Sequence, residues 1–279
     1  MNQYSDNEIS FFKQLLLDFE IRVDGRNAME TRKYDMEQNV INNCFSSLKL
    51  TYNNSKNEIL FTIKGELIKD NLEEKNDKDK NINENNSRII INIDSMSMAS
   101  RGQNSEEYKT IKNKMESLLN KLMISKINTD SLIINKKDPK LFWKLNLDIF
   151  VFDDLRMSLF QLISIGIKNV IQNVKVPKII IFKNEIEDKF EYDLRKNYED
   201  LTIEDSEEKI ICEIPNIYVY SIINNSLYLD PSDEELIITP SILYVSEGNK
   251  KILNIESIGD SVDPKLYFLI SDTIKNINS

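Results

Sequence analysis

The stretch RVDGRNAMETR, residues 22–32, is the most informative part of this chain. Its turn-forming and charged residues are Arg22, Asp24, Gly25, Arg26, Glu30 and Arg32. An Asp-Gly pair favours a tight turn, and the surrounding arginines and acids can form charge-assisted hydrogen bonds that hold an N-terminal arm against a domain. From these residues alone, a chance turn with solvated charges is the simpler interpretation.

The length and composition of the chain predict a folded protein. It has 279 residues, of which 41% are hydrophobic, enough for one sizeable core or two small ones packed together. The formal net charge is −10, so the surface on average repels a polyphosphate backbone. A nucleic-acid role would therefore need a local basic patch or partner subunits.

The sequence contains no histidine, which excludes several kinds of chemistry. A Ser-His-Asp or Cys-His nucleophile, a His-ligated zinc site and an imidazole acid or base are all ruled out. Carboxylate, lysine or tyrosine chemistry remains, or no catalysis. The residue types predict neither a metal site nor a cofactor.

The cysteines and the apolar segments bear on the compartment. Cys44 and Cys212 are too few and too far apart for a disulfide framework or a thiolate metal site, which favours a reduced, intracellular setting. The N-terminal segment lacks the basic and apolar regions of a signal peptide, and no apolar run approaches the roughly 20 residues that a spanning helix needs. We expect a soluble chain without a membrane association.

Hydrophobic periodicity predicts an α+β organisation, with strands followed by helices in each of two parts. The first part is expected to begin with an amphipathic helix over 8–20 that buries Phe11, Leu15 and Phe19. The helices that follow are predicted at 106–125 and 158–174, and the strands at 34–40, 45–52, 58–67, 88–94, 132–135, 143–151 and 178–182. After an acidic stretch, extended segments are predicted at 210–215, 218–223, 236–245 and 252–257, with a final helix capped by Asp263.

Residues 70–87, DNLEEKNDKDKNINENNS, form a polar run with only two apolar side chains. Such a segment cannot bury enough surface to offset the entropy of ordering, so we predict a disordered loop. A charged loop that binds a partner is the alternative.

Three further segments add to RVDGR: RIIINIDSMSMASRGQNSEEY (88–108), WKLNLDIFVFDDLRMSLFQLISIGIKNVI (143–171), and LDPS (229–232) followed by a hairpin and the terminal helix. In their order and separation, the four segments resemble the RNase PH-family ring subunits of the RNA exosome. The resemblance implies an RNase PH-like (ribosomal protein S5 domain 2-like) fold. It divides the chain into an N-terminal helix and arm (1–32), a first half (33–183) with the insert, an acidic connector (184–209) and a C-terminal half (210–279).

The resemblance also implies a setting. Six such subunits form a ring around an RNA-threading pore, topped by RNA-binding cap proteins. The expected partners are therefore other RNase PH-like ring subunits, the cap subunits and RNA held by the assembled complex. The family's role is 3′-to-5′ RNA processing and degradation, including ribosomal RNA, in the nucleus, nucleolus and cytoplasm.

Within the family, catalysis is expected to be lost in this chain. Active members bind phosphate with a Gly-Gly-Thr/Ser-Arg loop, which here reads Arg156-Met157-Ser158-Leu159, so the glycines are gone and the arginine position holds Leu159. The family's acidic pair aligns with Asp230 and Leu236, which leaves Asp230 as a weak catalytic candidate and a solvated acidic turn as the alternative. Arg101 is the candidate for a contact with an RNA phosphate, or for an interfacial salt bridge.

The sequence thus predicts a non-catalytic ring subunit. An active phosphate-dependent 3′-5′ exoribonuclease and a free RNA-binding or scaffold protein outside the exosome remain the alternatives.

Overall fold

A computed structural model describes residues 4–53, 56–70, 88–96, 106–135, 140–176, 180–184, 189–193 and 213–277. The predicted loop at 70–87 from residue 71 onward, Arg101 and most of the acidic connector lie outside these residues. None of the helices in the described part is long and apolar enough to cross a membrane.

The first half is a sheet covered by helices. Its elements are α1 (Asp6–Asp18), β1 (Tyr34–Gln38), β2 (Ser46–Tyr52), β3 (Asn57–Asp70), β4 (Ile89–Ser95), α2 (Glu106–Leu122), β5 (Ile133–Asn135), β6 (Lys140–Val151) and α3 (Phe160–Gln172). The six-stranded sheet has the order β1-β2-β3-β6-β4, with β5 also paired to β6. All its pairs are antiparallel except β4 with β6, which are parallel.

The second half repeats the pattern with a smaller sheet. After the antiparallel pair β7 (Ile180–Asn184) and β8 (Lys189–Asp193), it contains β9 (Asn216–Ile223), β10 (Ser226–Leu229), α4 (Asp233–Ile238), β11 (Ser241–Gly248), β12 (Lys251–Gly259) and α5 (Pro264–Ile277). The four-stranded antiparallel sheet has the order β10-β9-β11-β12. The mixed α+β fold predicted from the sequence is confirmed.

The helix α3 lies in the core that joins the two halves. Its side chains belong to one buried cluster with strands of both sheets. Phe160 at its start meets Tyr244 of β11 edge to face, with 5.1 Å between the ring centroids. Gly166 in its middle allows close approach to β3, because an added Cβ would lie 2.1 Å from the ring of Phe61. Trp143, at the start of the predicted strand 143–151, also lies in the core, since only 5% of it is exposed.

The N-terminal helix differs from its prediction in the face that it buries. It begins after a capping box between Ser5 and Glu8, and it buries Phe12 and Leu16. Phe11 is 54% exposed and Phe19 is 65% exposed, so the predicted buried face was wrong. The helix has two neighbouring apolar rows, one with Phe11 and Phe19 and one with Phe12 and Leu16. Hydrophobic periodicity alone does not predict which of the two rows is buried.

The predicted strand at 236–245 was wrong in its first residues. Residues 233–238 form the short helix α4, which begins with a capping box in which Ser232 and Glu235 bond each other's backbone N–H. The strand β11 begins only after Pro240. The Ser-x-x-Glu spacing was present in the sequence, but the apolar run that follows it favoured an extended interpretation.

Candidate functional site

Arg22 is the most deeply buried of the motif residues, with 2% of its surface exposed. Its Nε and Nη2 donate to the two carboxylate oxygens of Glu235, at 2.6 and 2.7 Å. Its Nη1 donates to three backbone carbonyls, those of Asn27, Glu30 and Leu229, and Nη2 also donates to the carbonyl of Asp230. Every nitrogen of the guanidinium is therefore used, which offsets the cost of burying the charge.

Arg26 and Arg32 both bind Asp230, whose side chain is 1% exposed. Arg32 donates from Nη2 to Oδ1 at 2.6 Å and from Nε to Oδ2 at 3.0 Å, and its backbone N–H donates to Oδ2 at 2.8 Å. Arg26 donates from Nη1 to Oδ2 at 3.3 Å. Burial lowers the pKa of Arg32, but the hydrogen bond and charge of Asp230 raise it by more, so the guanidinium stays charged.

Arg32 also ties the C-terminal half to the first half. Its Nη2 donates to the backbone carbonyl of Ser158, just before α3. Asp230, on the other side, has a positive φ of 53° that brings its N–H to the carbonyl of Val219 at 2.8 Å. We call this network of Arg22, Arg26, Arg32, Asp230 and Glu235 the arginine clasp.

The remaining motif residues shape the turn that carries the clasp. Gly25 has a φ of +75°, the left-handed conformation that glycine adopts without strain. Asp24 accepts a hydrogen bond from Arg26 Nε at 2.7 Å. Burial raises the pKa of Asp24, but the hydrogen bonds and charge of Arg26 lower it by more, so the net shift is downward. Glu30 closes the turn by accepting from the backbone N–H of Asn27 at 3.1 Å.

The segment aligned with the phosphate loop has no open anion site. Residues 157–159 form a short 3-10 turn that leads directly into α3, and Leu159 is a core residue with 4% exposure. Arg156 points elsewhere, since its Nη1 donates to Asp233 Oδ2 at 2.8 Å and its Nη2 lies 3.5 Å from Asp154 Oδ2. An incoming phosphate would therefore compete with two carboxylates for Arg156.

The acids near Asp230 are assigned to different partners. Glu235 binds Arg22, Asp233 binds Arg156, and Glu234 accepts from the hydroxyl of Tyr4 at 3.0 Å. Within the residues that the structure describes, no group of three Cys, Asp or Glu side chains is arranged so that it could hold a metal ion. Asp230 itself has both carboxylate oxygens occupied by arginines, so the geometry favours a structural role over acid-base chemistry.

Comparison with known proteins identifies the architecture. No protein-family model matches the sequence, and no curated protein matches it. Among solved structures, an archaeal exosome core is similar at 17% identity and a TM-score of 0.61, over 96% of this chain and 91% of that one. The chain has the RNase PH-like fold of exosome core subunits.

Two other structures share this RNase PH-like fold. The Archaeoglobus fulgidus exosome with RNA bound to the active site matches at 18% identity and a TM-score of 0.64, over 96% of this chain and 93% of that chain. Rice (Oryza sativa) Rrp46 matches at 12% identity and a TM-score of 0.52, over 91% of this chain and 96% of that chain. With 91–96% of this chain covered, the match extends over both halves.

Proposed function

We propose that this protein is a catalytically silent ring subunit of an RNA exosome, most similar in kind to ribosomal-RNA-processing protein forty-two. The observation that carries the proposal is the state of the phosphate-loop position. Leu159 is buried where the family's phosphate-binding arginine is expected, and Arg156 is held by two carboxylates. The RNase PH-like fold over nearly the whole chain supports the ring role.

The silent state has a physical basis. Phosphorolysis develops negative charge on the attacking phosphate and the leaving oxygen, and removing one preorganised donor from a comparable site costs about 3–4 kcal/mol of transition-state stabilisation. Here the loop glycines and the arginine are both replaced. The acid aligned with the catalytic pair, Asp230, is neutralised by Arg26 and Arg32. Two such losses leave the rate near background.

A ring subunit also needs surface for its neighbours. Large apolar side chains are exposed on α1 and the arm, at Phe11, Phe19 and Ile21, and on α5 at Phe268. Contiguous exposed apolar surface marks interaction sites in soluble proteins. In our proposal these surfaces contact other RNase PH-like subunits, while cap subunits and Arg101 serve the RNA that the complex threads in the nucleus, nucleolus and cytoplasm.

Purification of the chain from its source cell tests the ring role. We expect RNase PH-like subunits and cap subunits to copurify and to be identified by mass spectrometry. Recovery of the chain alone, or with RNA but without ring subunits, would favour a free scaffold.

A phosphorolysis assay tests the silent state. Single-stranded RNA, phosphate and a divalent ion are incubated with the purified protein, and release of nucleoside diphosphates is scored. We expect none above background. If release is observed, a variant must show whether it comes from this protein. Arg156→Gln removes the basic group at the aligned loop with little risk to folding. Asp230→Ala is less suitable, because it also breaks the arginine clasp. Robust release that Arg156→Gln abolishes would overturn the silent assignment.

A further inference from the structure

A cleft of about 370 Å³ runs along one side of α3. Its walls come from α3, the first residues of β9, and the residues that connect the arm to β1. The polar side chains that line it include Thr31, Gln161, Lys168, Asn169, Gln172 and Asn216. This volume lies within the range of small-molecule sites. Among the described residues, no member of the arginine clasp lines it.

The charge of the cleft is unusual for so acidic a chain. Lys168 is the only charged side chain among its described lining residues, although the net charge of the protein is −10. The ammonium group donates to Asn216 Oδ1. In the part of the chain that the structure describes, no carboxylate forms an ion pair with Lys168. The ammonium of Lys168 is therefore bound by an amide oxygen rather than by a carboxylate.

The amide partner of Lys168 is itself held in one orientation. Asn216 Nδ2 donates to Glu247 Oε2 at 2.8 Å, and Glu247 Oε1 accepts from the backbone N–H of Lys250 at 2.7 Å. Glu247 is 3% exposed, so this chain of bonds is fixed within the fold. The oxygen of Asn216 therefore faces Lys168 and holds the ammonium in place, while the other ammonium hydrogens remain for a ligand.

A second donor lies further along the same helix. Gln161 is 2% exposed, and its Oε1 accepts from the backbone N–H of Val219 at 2.9 Å. Its amide nitrogen has no acceptor among the described residues, and it borders the cleft. Its N–H groups are therefore available to an acceptor on a ligand in the cleft. Gln161 and Lys168 lie two helical turns apart, about 10 Å along the axis.

We propose that this cleft binds a small phosphomonoester of nucleotide or sugar-phosphate class. The phosphate binds Lys168, because an ammonium group is a point charge suited to phosphate and no carboxylate is among the described residues that line the cleft. A hydroxyl or carbonyl at the other end of the ligand accepts from Gln161. The proposal does not depend on ring assembly, because every residue that it uses belongs to this chain.

Titration of the full-length protein with adenosine monophosphate, followed by calorimetry, tests the site. The test variant is Lys168→Met, which keeps the aliphatic chain. Lys175→Met is the matched control, because Lys175 is exposed just beyond α3 and does not line the cleft. We expect saturable binding to the wild type and the control, and binding at least about tenfold weaker to Lys168→Met. Unphosphorylated adenosine should lose affinity to a similar extent.

Gln161→Glu gives a second, independent readout. Glutamate keeps the acceptor for Val219 but places an anion where the amide donor was, so adenosine monophosphate should bind more weakly while the thermal melting curve remains cooperative. Competition by a short 5′-phosphorylated RNA would identify an RNA end as the phosphate source, and its failure would identify a free ester. Equal affinity of the wild type and Lys168→Met, undiminished binding of adenosine, or no saturable binding at millimolar ligand would overturn the proposal.

Discussion

Replacing Arg22 with methionine removes the buried guanidinium that fastens the arm to α4. The side chains of Arg22 and Glu235 are 1% and 0% exposed, so the variant leaves a carboxylate in the interior without its cation. Breaking a buried ion pair by removing one partner costs about 3–5 kcal/mol. A domain is stable by only about 5–15 kcal/mol, so Arg22→Met should shift the urea unfolding midpoint strongly downward.

Two comparisons make this prediction specific. Lys49→Met breaks the half-exposed pair with Glu37, 3.3 Å apart, and should cost less than about 1 kcal/mol. Adding Glu235→Gln to Arg22→Met removes the stranded charge but keeps an acceptor for the capping box, so the double variant should be more stable than Arg22→Met alone. An Arg22→Met variant no less stable than Lys49→Met would refute the assignment of the clasp as a stabilising element.

Three other substitutions test the fold and its surface. Tyr220→Phe should stabilise the protein by about 1 kcal/mol, since its buried hydroxyl has no partner among the described residues. Burial raises the pKa of Tyr220 above that of a tyrosine in the unfolded chain. Above pH about 10, the unfolded chain therefore loses this proton more readily than the folded protein, and the free energy of unfolding falls as the pH rises. Chemical denaturation should show a shallower alkaline decline in Tyr220→Phe, which lacks this ionisable group. Gly166→Ala should cost about 1–3 kcal/mol in the same assay, because the added Cβ would overlap the ring of Phe61. Phe19→Ser should leave the unfolding midpoint nearly unchanged, since Phe19 is 65% exposed, yet reduce the recovery of copurifying ring subunits; equal recovery would show that this face is not an interface.

The sequence predicted which residue types form the site, but it did not predict which residues they contact. The Asp-Gly turn and its arginines indicated an arm held by charge-assisted bonds, and Arg22, Arg26 and Arg32 do form them. Their main acceptors lie about two hundred positions away, at Asp230 and Glu235. Spacing along the chain carries no information about contacts at such separations. The sequence therefore predicted the arm's chemistry but offered Asp230 as a catalytic candidate rather than as the arm's anchor.

The sequence by itself determined the α+β alternation, because strand and helix periods depend on neighbouring residues. Through the family resemblance, it also predicts that the phosphate-loop glycines and arginine are replaced. Tertiary structure alone decided which apolar row of α1 is buried, since Leu16 of the buried row packs with Ile223 and Tyr228, whereas Phe11 and Phe19 stay exposed. It likewise decided that Arg156 is paired with Asp233, because that pairing requires both halves to meet across α3. Local patterns fix local structure, whereas partners distant in the chain are chosen by the packing of the two halves around one core.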